Sequence, residues 1–152
     1  MELFKFVLEK VLVPLVIGAI GAQLALKKHQ KERWWTLKEE TYRVLIQHLA
    51  KQRALLKKWI EEYEHSANTV NNPEDEKDSL VFREARRQIR EHAAQGGYVI
   101  SKDAARTLDR VMETWDAPDD EDVRWNMERE LSAVEKALMH LQEIARKELG
   151  VR

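Results

Sequence analysis

The sequence predicts an all-α protein: an N-terminal transmembrane helix that continues into a cytoplasmic bundle of about four helices, assembled as an oligomer. Three observations predict it. Residues 11–26, VLVPLVIGAIGAQLAL, carry no charge. They run into KKHQKERWW, which gives the order of a span, a charged cytoplasmic flank and an interfacial aromatic anchor. The chain as a whole is 35% charged, with only five Gly and three Pro, a composition that favours helices joined by few turns. The boundaries drawn from this are residues 1–30 for the transmembrane segment and 31–152 for the bundle.

The sixteen uncharged residues are shorter than the ~20 that usually cross a bilayer. Leu3, Phe4, Phe6, Val7 and Leu8 can lengthen the run, with Lys5 and Lys10 snorkelling to the headgroups. A buried soluble helix is the competing reading, and a cleaved signal peptide a third. Against the signal peptide stand a weakly basic start, MELFKFVLEK, positive charges that follow the run, and no Ala-x-Ala site. Lys27, Lys28, Lys31 and Arg33 place the C-terminal body on the cytoplasmic side of a bacterial inner membrane, crossed once.

Within the span, Val13, Val16, Ile17, Ile20 and Leu24 share one helical face. Pro14, Gly18, Gly21, Ala22 and Ala25 share the other. Small residues spaced by four let helix backbones approach where lipid supplies no hydrophobic drive between helices. A single span has no second span of its own to meet, so this face implies neighbouring copies, although Gly and Ala are common in spans in any case. His29 continues the stripe and reads either as a pore-mouth residue or as an ordinary interfacial one.

From Lys27 to about Ser66 nothing breaks a helix. Trp35, Tyr42, Leu49, Leu56 and Tyr63 recur every seven residues, joined by Leu45, Ile46, Trp59 and Ile60, and make a bundle seam. Arg43, Gln47, Lys51, Lys57 and Lys58 lie opposite. NTVNNPEDEKD, 68–78, reads as a polar linker. The next helix is expected at 79–95, with Phe82, Ala85, Ile89 and Ala93 inward and Gly96-Gly97 as its stop. YVIS then reads as an extended connection that plugs the bundle end. Ser101 caps a helix over 102–115, with Ala105, Leu108, Val111, Met112 and Trp115 inward. DAPDDED, 116–122, is a turn whose carboxylates suit the start of a last helix over 120–149. Met127, Leu131, Val134, Leu138, Leu141 and Ala145 form its seam, and Gly150 ends it. An up-down bundle is the simplest arrangement.

Charge is unevenly shared. Residues 1–58 hold twelve Lys/Arg against five Asp/Glu, and residues 59–152 hold fourteen against twenty-two. A basic half near anionic headgroups and an acidic half further out would explain the split. The absence of Cys removes disulfide scaffolds and thiolate chemistry. No HExxH, GxSxG or Gly-rich phosphate loop is present, so no enzyme activity and no cofactor or metal is expected. Glu62-x-x-His65 has di-iron spacing but stands alone where such sites need two pairs and further carboxylates. It reads as a solvated pair.

Arg83, Arg86, Arg87 and Arg90 fall on one side of their helix. Four guanidinium groups in about two turns repel unless anions answer them, and their planar forks suit phosphate. They read either as a nucleotide- or oligonucleotide-binding surface or as partners for the chain's own acidic segments. No recognised module for duplex nucleic acid accompanies them. Trp34-Trp35 reads as a membrane-interface anchor, with base stacking as the minor alternative.

Glu32-Arg33-Trp34-Trp35, with Lys38 and Tyr42 behind a hydrophobic run, resembles a widespread family of small bacterial single-span membrane proteins carrying ERWW-x-x-K-x-x-x-Y. Tyr98-Val99-Ile100-Ser101, opening a helix with Ala104, Ala105 and Leu108, resembles that family's second recurring stretch. In architecture the chain is also similar to the membrane effector of the Hailong antiphage defence system. That likeness implies a homo-oligomeric ion channel, a tetramer being favoured, controlled by an oligonucleotide that a partner nucleotidyltransferase makes. A non-conducting tethered scaffold that docks a cytoplasmic protein is the alternative.

Overall fold

Each helix of this chain has one apolar stripe and a charged remainder, so it can leave water on one side only, and helix must pack on helix. A computed structural model describes residues 13–65, 73–119 and 121–150, and the side chains of 25–65, 76–119 and 121–150. Among the described residues there are four α-helices and no strand: α1 (Val13–His65), α2 (Pro73–Gln95), α3 (Lys102–Asp116) and α4 (Val123–Leu149). A 3-10 turn, Gly96–Tyr98, joins α2 to α3. The chain divides into two compact units, Met1–Leu37 and Lys38–Arg152.

In the second unit the side-chain pairs fix the helix directions. Tyr42 meets Glu148, Lys57 meets Glu135 and Glu64 meets Arg124, so α1 runs antiparallel to α4. Lys58 meets Asp78, and the Trp59 and Phe82 rings lie 4.9 Å apart, while Thr41 lies beside the turn after α2. Hence α1 also runs antiparallel to α2. The core is drawn from every helix: Tyr42, Leu45, Leu49 and Leu56 from α1, Phe82 and Ile89 from α2, Leu108 and Val111 from α3, Val134, Leu138 and Leu141 from α4.

The helix ends are specified locally. Ser101, at φ −68° and ψ 161°, accepts the Ala104 amide through its side chain and starts α3. Asp122 accepts the amides of Arg124 at 2.9 Å and Trp125 at 3.2 Å and starts α4. These caps satisfy amides that have no intrahelical acceptor. Gly150, at φ 66°, sends its amide to the Arg146 carbonyl and ends α4 in the left-handed conformation that glycine adopts without penalty.

Several sequence expectations need correction. α2 starts at Pro73, not at Ser79. Proline suits the first helical position, where its missing amide is not needed, and the EDE that follows favours a helix N-terminus. YVIS is not extended. The Val99 and Ile100 amides both donate to the Gly96 carbonyl, at 2.7 and 2.8 Å, winding the backbone into a turn. Only Ile100 plugs the bundle end; Tyr98 is almost fully exposed. Trp35 and Tyr63, at the two ends of the heptad seam, are also exposed.

Among the described residues no helix is long and apolar enough to cross a membrane. Residues 1–12, where the expected span begins, lie outside the described residues.

Leu141 is fully buried on α4 and Met139, two residues away, is exposed. Leu141→Ala is expected to cost about 2–5 kcal/mol in urea unfolding, through lost transfer energy and a residual cavity. Met139→Ala should stay within about 0.5 kcal/mol.

Candidate functional site

The first candidate is the collar that ends the first unit. Lys27, Lys28, Lys31 and Arg33 are all exposed, as are Leu26, Trp34, Trp35 and Leu37. The two indoles sit edge to face, with centroids 5.9 Å apart and planes at 86°. Lys28 lies 4.0 Å from Glu32 across one exposed turn, a contact worth little in water. Cationic and aromatic side chains therefore share the same three turns with open apolar surface. Ala25 and His29 are exposed here as well. Pro14, Gly18, Gly21 and Ala22 belong to α1, but their side chains lie outside the described residues.

The second candidate is the arginine row of α2, and most of its charge is answered within the chain. Arg86 is clasped by Glu130 of α4 and lies over the Phe82 and Trp115 rings, 4.6 and 5.1 Å from their centroids. Arg87 spans Glu84 and Glu91 at 2.6 and 2.5 Å. Its hydrogen bond, with a second from Gln88, holds the Glu84 carboxyl down to about 2. Arg90 reaches Asp116 at 2.5 Å, and its hydrogen bond lowers that carboxyl below the usual range. Arg83 donates to the Ser79 carbonyl at 3.3 Å and forms no ion pair among the described residues. Asp116 opens the DAPDDED run, so part of the acidic surplus does meet the row. Glu130, at the centre of α4, carries no comparable signal in the sequence.

The third is a polar junction at the end of the bundle. Glu148 Oε2 accepts from Lys38 Nζ at 2.7 Å and from the Tyr42 hydroxyl at 2.9 Å. The Lys38 and Glu148 side chains are only 11% and 18% exposed, which removes most of the screening that weakens surface pairs. The Ser101 amide approaches the same hydroxyl at 3.4 Å. Burial alone would raise the Glu148 carboxyl. Hydrogen bonds from Lys38, Ser101 and Tyr42, together with the Lys38 charge, outweigh it and hold the group low. Burial pushes the Tyr42 phenol up, reinforced by Glu148 and opposed by Ser101. Lys38 and Tyr42 of α1 are thus brought together with Ser101 at the start of α3. Glu148 joins them without any sequence signal of its own.

Two further features escape a reading of the sequence. Gln52 occupies a seam position between Leu49 and Leu56 and is fully buried, and neither side-chain polar atom has a hydrogen-bond partner among the described residues. Along the outside of α3 and α4 runs a groove of two adjoining hollows. One, of about 400 Å³, is lined by Thr107, Arg110, Arg129, Ser132, Lys136 and His140 over a floor that includes Val111 and Ala137. The other, of about 360 Å³, adds Asp103, Arg106, Glu143 and Lys147.

Among the described residues no three His, Cys, Asp or Glu side chains gather as metal ligands. Glu62 faces Lys58 at 3.6 Å, and His65 turns Nδ1 to the Glu61 carbonyl at 2.7 Å. No family model, curated protein or solved structure matches the chain.

Glu148 also gives a pH test. A carboxyl held low in the fold stabilises it above the unfolded-state value near 4.5, and that contribution is lost as pH falls through the lower folded value. Glu148→Gln should lower the melting temperature at pH 7. The gap from wild type should begin to narrow as pH drops below about 4.5, where the unfolded chain takes up the proton, and close as pH falls through the lower folded value. A gap independent of pH would contradict the assignment.

Proposed function

We propose that this protein is a membrane-anchored, homo-oligomeric effector of the bacterial inner membrane, whose cytoplasmic body responds to an anionic signal. The observation that carries the reading is the collar: basic, indole and open apolar side chains share one short stretch directly after the uncharged run. Leu26, Trp34, Trp35 and Leu37 are exposed within twelve residues of one helix, a concentration of apolar surface that suits an interface. A headgroup layer would take up the rings and aliphatic chains while its phosphates meet Lys27, Lys28, Lys31 and Arg33.

In the fuller form of the proposal, copies meet through Pro14, Gly18, Gly21, Ala22 and Ala25. Their spans then form an ion-conducting path around an axis, with four copies favoured and His29 at its mouth. Opening it would collapse the membrane potential of an infected cell. The resemblance to small single-span bacterial proteins supports this version, and a nucleotidyltransferase partner would supply the signal.

A tethered, non-conducting scaffold is the second reading, and a particular observation favours it. Arg86, Arg87 and Arg90 are matched by carboxylates of the same chain, which leaves the α2 row little charge for a ligand. Exposed Tyr98, Val123 and Trp125 would serve a protein partner.

Flotation with liposomes and ion flux through them separate these readings. The anchored channel predicts that the chain floats, conducts, and loses conductance in Gly18→Leu/Ala22→Leu while still floating. Flotation without flux leaves the scaffold. A chain that stays in the soluble fraction overturns both.

A further inference from the structure

Many of the body's cations are matched across helices, and several exposed ones, Arg83 and Lys147 among them, form no ion pair among the described residues. Lys38, Lys57, Lys58, Arg86, Arg90 and Arg124 each reach a carboxylate at 2.8 Å or closer. Carboxylates are plentiful in this part of the chain, where residues 59–152 carry twenty-two. Yet the larger hollow between α3 and α4 is lined by Arg110, Arg129, Lys136 and His140 with no carboxylate among its lining residues. Arg110, Lys136 and His140 form no ion pair among the described residues, whereas Arg106 and Arg124 nearby on the same two helices do.

Arg129 sharpens the point. Its guanidinium lies 4.9 Å over the Trp125 ring, donates from Nη1 to the Pro118 carbonyl at 3.3 Å, and stands 3.8 Å from Asp119. Nε and Nη2 are nevertheless shielded from water and have no hydrogen-bond partner among the described residues, Nη2 having only the longer ion pair to Asp119. An arginine does not deprotonate, so such donors are unfavourable until an acceptor arrives. The hydroxyls of Thr107 and Ser132 border the same space. Thr107 and Thr114 already donate to carbonyls of their own helix, at 2.8 and 2.9 Å, and so keep lone pairs rather than protons for the hollow. Donation there falls to the cationic groups and Ser132.

We propose that this hollow is a binding site for a soluble phosphate-bearing small molecule, and that it, not the arginine row of α2, receives the anionic signal. Its volume of about 400 Å³ lies in the range of small-ligand sites. Planar guanidinium groups from two helices suit the oxygens of a phosphate better than a single point charge does. In the adjoining hollow Asp103 and Glu143 stand among Arg106, Arg110 and Lys147, so charge there is mixed and the surface of a single sign is confined to the larger hollow. Bridging α3 to α4 would also make occupancy felt across the bundle. The inference rests on the reading of an anion-responsive body, but not on membrane insertion.

Calorimetric titration of the full chain in neutral detergent, with ATP and with inorganic tripolyphosphate as probes, tests it. Saturable binding is expected for at least one probe, weakening steeply with added salt. Arg110→Gln and Lys136→Gln should each weaken it roughly tenfold, the worth of one charge-assisted contact. Both side chains are exposed, so thermal melts should show unchanged folding. Arg43→Gln, on the far helix α1, should change affinity less than about twofold. No saturable binding of either probe, or equal losses from Arg43→Gln, would overturn the site. Because detergent replaces the bilayer, failure here leaves flotation and flux as a separate test of the anchor.

Discussion

The Glu148 carboxylate is the contact on which the order of the bundle most depends. It sits where the beginning of the α1 body, the start of α3 and the end of α4 converge. Lys38 supplies charge, Tyr42 a hydroxyl, and Ser101 an amide to the same hydroxyl. A charge withdrawn this far from water is tolerable only with several partners in place. Removing one partner leaves a buried polar group short of a contact, which costs more than that contact contributes when intact. The junction therefore fixes register: an α4 shifted by one residue would take Glu148 away from Lys38.

The same rule operates along the whole body. A chain with 35% charged residues cannot hide its cations under apolar side chains, so helices are brought together by carboxylates as well as by leucines. Lys57 with Glu135, Arg86 with Glu130 and Arg124 with Glu64 tie α1 or α2 to α4 at successive levels. Pairs within one helix, such as Arg43 with Glu40, add little and are screened by salt. Arg86 is the deepest of these three interhelical cations, stacked on Phe82 and Trp115 as well as paired, so truncating it would remove packing along with charge.

Much of the fold was legible because helix periodicity and end signals are local. Ser101, Gly96-Gly97 and Gly150 marked boundaries that α2, the turn and α3, and the end of α4 respect within a residue or so. Leu45, Leu49, Leu108, Val134 and Leu141 could be placed in the core from spacing alone. The misjudged start of α2 shows a limit: Pro73 punctuates a linker and also opens a helix, and composition does not separate the two uses. The sites were less legible, because they depend on which helices meet. Four arginines on one face read either as a binding surface or as partners for the chain's own acidic segments, and nothing local announced Glu130 opposite them. The groove of α3 and α4 was invisible for the converse reason. Arg110 and Arg129 lie nineteen positions apart in sequence, and their approach exists only after the helices pair. Gln52 hid in the seam, where a polar residue between leucines looks like a register device.

What joins these elements into one functional account is the collar, where charge and indole stand beside open apolar surface. The chain has no cysteine, so single introduced thiols report location without background. Gly97 is exposed, with nothing within 4 Å of the place a Cβ would occupy. The decisive measurement is labelling of Glu2→Cys and Gly97→Cys by a membrane-impermeant maleimide in intact spheroplasts. The account predicts that Glu2→Cys reacts from outside, whereas Gly97→Cys reacts only once the membrane is permeabilised. Equal protection of both thiols, with the protein recovered in the soluble fraction after lysis, would contradict the anchor.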